Sequence, residues 1–268
     1  MPGPFALLDV RGDDAVAFLQ SQLTCDLADL DPRRLIPAAW CDPSGRVLAF
    51  MMIAGSEGHV TLMLPAAVSA DVQRRMSMFT IGRDAEVTSG GPARLADDDS
   101  GTAWTAPGGR GVDRDIDREG DERGPGDAAS MTRWTGDDLR HMLPWILPAT
   151  SGRFLPQMLG LDALGGISFR KGCYPGQEIV ARVHYRGRVT RRAALFSLDG
   201  GPPPEPGEEL VTVHGAGTVL YAVGESEKGR TLGLAVVPAE SASGETVRHR
   251  ASSGVVLEID HAVLASGT

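Results

Sequence analysis

Eight consecutive residues, Lys171-Gly172-Cys173-Tyr174-Pro175-Gly176-Gln177-Glu178, place an ammonium, a thiol, a phenol, an amide and a carboxylate in one short segment. The glycines and the proline favour a turn, because glycine accepts positive φ and proline fixes its own φ and restricts its predecessor. Cys173 and Tyr174 are therefore expected on a shaped loop. Thiol chemistry runs through the thiolate, which a nearby cation favours. Lys171, two residues away, is the candidate activator. Gly176 is placed to open a helix through Val183, whose unpaired N–H groups add positive potential near the sulfur. Of 26 Lys plus Arg residues only Lys171 and Lys228 are lysines, so a compact ammonium beside the cysteine stands out. The bland alternative makes Cys173 a small buried hydrophobe.

The elements that position this segment follow from periodicity. Phe5 to Val10 reads as a strand, and Asp13 or Asp14 can cap the following helix. Ala15, Phe18, Leu19, Gln22 and Leu23 recur at helical spacing, so that helix is expected to stop near Thr24-Cys25-Asp26. Leu35 to Trp40 and Val47 to Ile53 read as strands joined by the turn Asp42-Pro43-Ser44-Gly45. A strand over Val60 to Leu64, a helix from Pro65 to about Phe79 and a strand over Ala85 to Thr88 complete the unit. The order β-α-β-β-β-α-β predicts an antiparallel sheet with helices on one face, an α+β layout. Met51, Met52, Met63, Met76 and Met78 read as core filling.

Residues 89–131 are rich in Asp, Gly and Pro and poor in large apolar residues. They are expected to form a mobile acidic loop, with Trp104 and Val112 pinning its middle. Residues 132–189 should carry a short helix over Asp137 to Met142, a surface His141, and the motif helix. That helix is expected to bury Ile179, Val180 and Val183, to pair Glu178 with Arg182, and to end near Gly187. From Thr190 to residue 268, apolar runs separated by Gly/Pro/Ser turns predict a small β-sandwich or barrel. The domain expectation is thus 1–88, 89–131, 132–189 and 190–268.

Composition narrows the function classes. The 268 residues are 42% hydrophobic, enough for a substantial core, and the formal net charge is −9. An acidic balance argues against generic nucleic-acid binding. No apolar run reaches membrane-spanning length, and the N-terminus lacks signal-peptide regions, so a cytoplasmic protein with no membrane partner is expected. Cys25, Cys41 and Cys173 are too few for a disulfide framework. No Cys-x-x-Cys or His-x-x-x-His pair marks a metal site.

The segment Gly165-Gly166-Ile167-Ser168-Phe169-Arg170, continued by Lys171 to Glu178 and Val180-Ala181-Arg182, resembles the signature of the YgfZ family. These are folate-binding relatives of the glycine-cleavage T-protein that support assembly or repair of iron–sulfur enzymes. Phe18 to Asp26 resembles the family's N-terminal signature. The resemblance implies a T-protein-like arrangement of ferredoxin-like α+β units with a C-terminal small β-barrel, the middle unit abbreviated here. It implies tetrahydrofolate as cofactor, a transient iron–sulfur cluster as cargo, and iron–sulfur assembly proteins or client enzymes as partners. Cys173 is then the working residue and Lys171 its activator. Gly172 and Gly176 shape the turn, and Tyr174, Gly176, Gln177, Glu178, Arg182, Tyr185, Thr24 and Asp26 are the folate-side candidates. For Thr24 and Asp26 a simple hydrogen-bonded turn is the competing reading.

A catalytic one-carbon (aminomethyl) transferase is the alternative. T-proteins carry adjacent aspartates after a turn in the first domain, and Ala49 and Phe50 stand at the similar positions here. Phe169-Arg170-Lys171 replace the pterin-anchoring glutamate. Without those carboxylates the general-base help for methylene transfer is missing, so an accessory factor is expected rather than a transferase. A third reading is an interaction scaffold with a buried, inert cysteine.

Overall fold

A computed structural model describes residues 4–28, 30–96, 103–106, 110–113, 135, 138–199, 201–225, 229–241, 244–249 and 252–258. The N-terminal unit runs β1 (Phe5–Arg11), α1 (Ala15–Gln20), β2 (Ile36–Cys41), β3 (Val47–Ser56), β4 (His59–Pro65), α2 (Ala66–Ser77) and β5 (Glu86–Pro92). Its strands lie in the order β2-β3-β4-β1-β5, every pair antiparallel.

Alternation along these strands sends side chains to two different cores. Leu8, Ala49, Met51, Ile53 and Leu62 pack under α1 and α2 with Phe18, Leu19, Val68, Val72 and Met76. Leu7, Phe50, Met52 and Met63 face the other way, onto Leu143, Trp145, Ile146, Phe154 and Leu161. Trp145 sits 4.6 Å from the Phe5 ring and 4.9 Å from the Phe50 ring, centroid to centroid. Helices on one face were expected. Both faces prove to be covered, which is why β3 is buried almost continuously rather than alternately.

Two expectations are corrected here. Helix α1 ends at Gln20, not near Thr24 to Asp26. The Ser21 hydroxyl donates to the Phe18 carbonyl at 2.7 Å, a local bond that competes with helix continuation. Leu23 is then extended and bridges Trp40. The region 89–131 also contains strands: β5 reaches Pro92, and β6 (Arg94–Ala96), β7 (Ala103–Ala106) and β8 (Arg110–Asp113) form a sheet in the order β6-β8-β7. Backbone pairing asks for little apolar surface, so composition hid it. Trp104 and Val112 are cross-strand partners in that sheet. Asp97-Asp98-Asp99 and the charged run from Arg114 to Arg123 lie outside the described residues.

The remaining strands are β9 (Arg191–Asp199), β10 (Glu209–Thr212), β11 (Gly215–Glu225), β12 (Arg230–Pro238), β13 (Glu245–His249) and β14 (Ser252–Glu258). They close in the order β10-β11-β12-β9-β14-β13. Phe196, Leu198, Val219, Ala235 and Val237 form a core of their own. Their alternates Ala193, Leu220, Leu234 and Val236 join the core around Trp145. The Tyr221 hydroxyl donates to the Leu143 carbonyl at 2.7 Å and fixes this docking.

Candidate functional site

The motif loop leads into α3 (Gln177–Arg186) and is held from two sides. On the first side the turn between β2 and β3 packs against the start of α3. Gly176 caps the helix with φ +78°, and a Cβ there would lie 2.4 Å from Gly45 Cα and 2.6 Å from the Asp42 carbonyl oxygen. Only glycine meets both the left-handed backbone and the close approach. The turn itself is braced by Asp42, whose Oδ1 accepts from the Ser44 N–H, the Ser44 hydroxyl and the Arg46 N–H. Gln157 Nε2 donates to the Val180 carbonyl at 2.7 Å and ties α3 to the preceding 3₁₀ turn, Pro156–Leu159.

On the second side stands Thr24, fully buried. Its N–H donates to the Ala39 carbonyl, and its hydroxyl accepts from the Ala39 N–H at 2.9 Å and donates to the Gly166 carbonyl at 2.6 Å. Its own carbonyl accepts from the Ser168 N–H at 2.8 Å. Every polar group of Thr24 is thereby used to join β2 to the motif loop. Asp26 makes the hydrogen-bonded turn: Oδ1 accepts from Gln20 Nε2 at 2.9 Å and from the Ala28 N–H at 3.1 Å. Those bonds, the Gln20 amide first, hold its carboxyl below the usual value.

Lys171 is placed differently from expectation. Its Nζ donates to the carbonyls of Leu23 and Cys25 at 2.7 Å each and lies 5.5 Å from the Tyr174 ring centroid. Burial pulls the ammonium below its usual pKa, against the opposing fields of Cys25 and Asp26. The ammonium is thus committed to the Leu23–Cys25 backbone, and the thiol that feels its charge there is Cys25. Sequence proximity to Cys173 gave no hint of a partner 146 residues away.

The three thiols divide sharply. Cys25 and Cys41 are buried, and Cys173 is exposed. Burial pushes the Cys25 thiol up to about 12 and raises Cys41 as well. The buried-cysteine alternative for Cys173 is therefore corrected: the motif loop lifts it into solvent. Tyr174, by contrast, is only 5% exposed, and burial raises its hydroxyl pKa, with Cys41 adding to the effect. The Tyr174 hydroxyl and Gln157 Oε1 are buried polar atoms with no hydrogen-bond partner among the described residues. Such atoms are rare and call for a bound water or ligand group. They can offer a donor and acceptors to the polar edge of a pterin, so the residues present fit folate on this point.

Of the other candidates, Gln177 is half-buried in the first turn of α3, and Gly172 and Glu178 are exposed. Arg182 and Tyr185 are exposed too, on the outward side of the helix. No ion pair joins Glu178 to Arg182 among the described residues. Only Val180 of the expected apolar stripe is fully buried, Ile179 and Val183 being intermediate. Gly187 is the C-cap, with extended backbone; a Cβ there would lie 2.8 Å from Val183 Cα. Gly45, Ser168 and Cys25 were not singled out from sequence as site residues. A separate cleft of about 710 Å³, lined by residues such as Asp13, Gln20, Leu27 and Glu57, contains none of the motif residues.

The architecture defines the class first. The chain matches the glycine cleavage system aminomethyltransferase T from Bartonella henselae with a TM-score of 0.62, covering 98% of this chain and 84% of that one at 13% identity. At that identity the likeness establishes the fold, that of aminomethyltransferase T. The positions Ala49 and Phe50 lie within its two packed cores and carry no carboxylate. No family model matches the sequence. The sequence relatives are more specific. The tRNA-modifying protein YgfZ of Klebsiella pneumoniae (strain 342) is 33% identical over 260 residues, spanning 82% of this chain and 79% of that protein. Its namesake in Sodalis glossinidius (strain morsitans) is 28% identical over 304 residues, spanning 98% and 92%. The chain belongs to the YgfZ family.

Proposed function

We propose that the protein is a folate-binding accessory factor for assembly or repair of iron–sulfur enzymes, acting through Cys173 in the cytoplasm. The observation that carries the reading is the exposure of Cys173, alone of the three thiols, on a loop clamped on both sides by backbone contacts. A thiolate there suits a transient cluster, a persulfide or an oxidised sulfur as cargo. One cysteine cannot hold a cluster alone, so an assembly protein or client supplies the other ligands. Tetrahydrofolate binding rests on the aminomethyltransferase T fold and on the unpaired Tyr174 hydroxyl and Gln157 Oε1. Gly176 and Gln177 follow Tyr174 within three residues, while Lys171 and Thr24 tie the loop to the Leu23–Cys25 backbone and to β2.

Ala49 and Phe50 speak against the transferase alternative, because packed apolar side chains fill the places where T-protein carboxylates stand. The relatives' name, tRNA-modifying protein, fits an accessory role if their clients include cluster-dependent tRNA-modifying enzymes. The test replaces the native gene with a Cys173→Ser copy and assays an iron–sulfur enzyme in extract under oxidative stress, at equal protein level. Activity at the deletion level supports the reading. Fully retained activity refutes it.

A further inference from the structure

Between residues 170 and 192 the chain carries seven Lys or Arg and a single acid, Glu178, although its overall net charge is −9. Four of the seven are committed. Lys171 holds the carbonyls of Leu23 and Cys25, Arg188 pairs with Glu240 at 3.3 Å, and Arg191 and Arg192 donate to the carbonyls of Ala216 and Ser241. The guanidinium groups of Arg170, Arg182 and Arg186 are exposed and have no ion-pair or hydrogen-bond partner among the described residues. Arg182 and Arg186 are four apart on α3 and share one face. Tyr185, three residues after Arg182 and next to Arg186, borders that face and is 67% exposed. Its ring is braced edge to face by His184 at 4.7 Å and by Phe169 at 6.2 Å, and Phe169 and His184 stack at 3.8 Å.

We propose that this face of α3, extended by Arg170, is a docking surface for single-stranded RNA. Unpaired guanidinium groups match phosphate oxygens in a bidentate manner. A fixed, solvent-facing aromatic ring among them offers a stacking platform for a splayed base. An acidic polypeptide has charge to meet the arginines but no planar base to meet Tyr185, and this favours RNA. The negative net charge argued against a generic basic face; a local patch of opposite sign is a different object, and net charge does not register it. The inference stands apart from the folate reading, and it takes Arg182 and Tyr185 out of the folate-side set.

The test is fluorescence anisotropy of a labelled 12-nucleotide RNA of mixed sequence against the full chain between 50 and 200 mM salt (conditions of about the range in which phosphate contacts dominate). The wild type is expected to bind with a salt slope. The Arg182→Ala, Arg186→Ala double variant should weaken binding at least ~10-fold and reduce the slope by about 1.4, at roughly 0.7 per phosphate on a single strand. Tyr185→Ala should weaken it roughly 5- to 150-fold, the range of a lost stacking contact. Equal unfolding midpoints in all variants verify that the exposed substitutions leave the fold intact. Absence of binding at the lowest salt overturns the proposal, as do variants that bind like wild type. Displacement by oligoglutamate at equal charge, with binding insensitive to Tyr185→Ala, assigns the face to an acidic protein instead and also overturns it.

Discussion

Substituting Gly176 by alanine probes the contact that seats the motif helix. Two costs add. A left-handed residue with a Cβ costs about 1–2 kcal/mol. The new methyl would stand 2.4 Å from Gly45 Cα and 2.5 Å from Gly45 N, atoms of a turn whose backbone Asp42 already braces. Because no flexible side-chain tip is available to yield, the turn and helix must separate, an overpacking cost of about 1–3 kcal/mol. The sum centres on about 3.5 kcal/mol, or a fall in the thermal midpoint of roughly 7–14 °C for a chain of this size. Gly58 supplies the matched control: its φ is +75° and nothing lies within 4 Å of its notional Cβ. Gly58→Ala should therefore show the backbone cost alone, a drop of about 2–8 °C. Circular dichroism melts of the two variants beside wild type measure the difference. If Gly176→Ala melts no lower than Gly58→Ala, the docking of α3 against the β2–β3 turn is not a stabilising contact and the reasoning fails.

Two further outcomes follow from the thiols and from the sheet. A thiol-specific disulfide reagent at neutral pH should modify one cysteine rapidly in the native protein and all three in denaturant, and Cys173→Ser should abolish the rapid phase; a rapid phase that survives the substitution would show that Cys25 or Cys41 is reachable. Asp9 is held below its ordinary value of 3.8: burial pushes its carboxyl up, but hydrogen bonds from His59 and Thr61 and the charges of His59 and Arg11 outweigh it. A lowered folded-state pKa contributes stability that is present above the unfolded value and lost as pH falls through the folded one. Asp9→Asn should accordingly flatten the stability loss below about pH 4, measured by urea midpoints across the acid range; an unchanged acid limb would exclude Asp9 from it.

The N-terminal unit was legible because each strand and helix carries its own period. Leu7 and Leu8, or Met51 and Met52, send alternate side chains to different cores, and the residue pattern records that directly. What the pattern did not record was the second cover on the sheet, since Trp145 comes from far along the chain and lies in no regular element. The strands near Trp104 escaped notice for a different reason: short backbone pairings leave little mark on composition. At the site, the turn glycines and the loop setting of Cys173 were readable from residue types. Lys171 was not, because its partners are backbone carbonyls, and a carbonyl has no residue letter to betray it. Thr24 shows the same blindness, reading as a simple turn former while it joins a strand to a loop.

That clasp also has a place in time. Thr24 and Gly166 are 142 residues apart, so at ribosomal rates of 5–20 residues per second roughly 7–28 s separate their synthesis. Through that interval the Leu23–Cys25 carbonyls and the Thr24 hydroxyl emerge without the loop that will satisfy them. Cys173 is translated only after the loop's first anchor, Gly166, and just behind Lys171. Cys173 therefore reaches its final setting late, well after the N-terminal unit whose core buries Cys25 has been made.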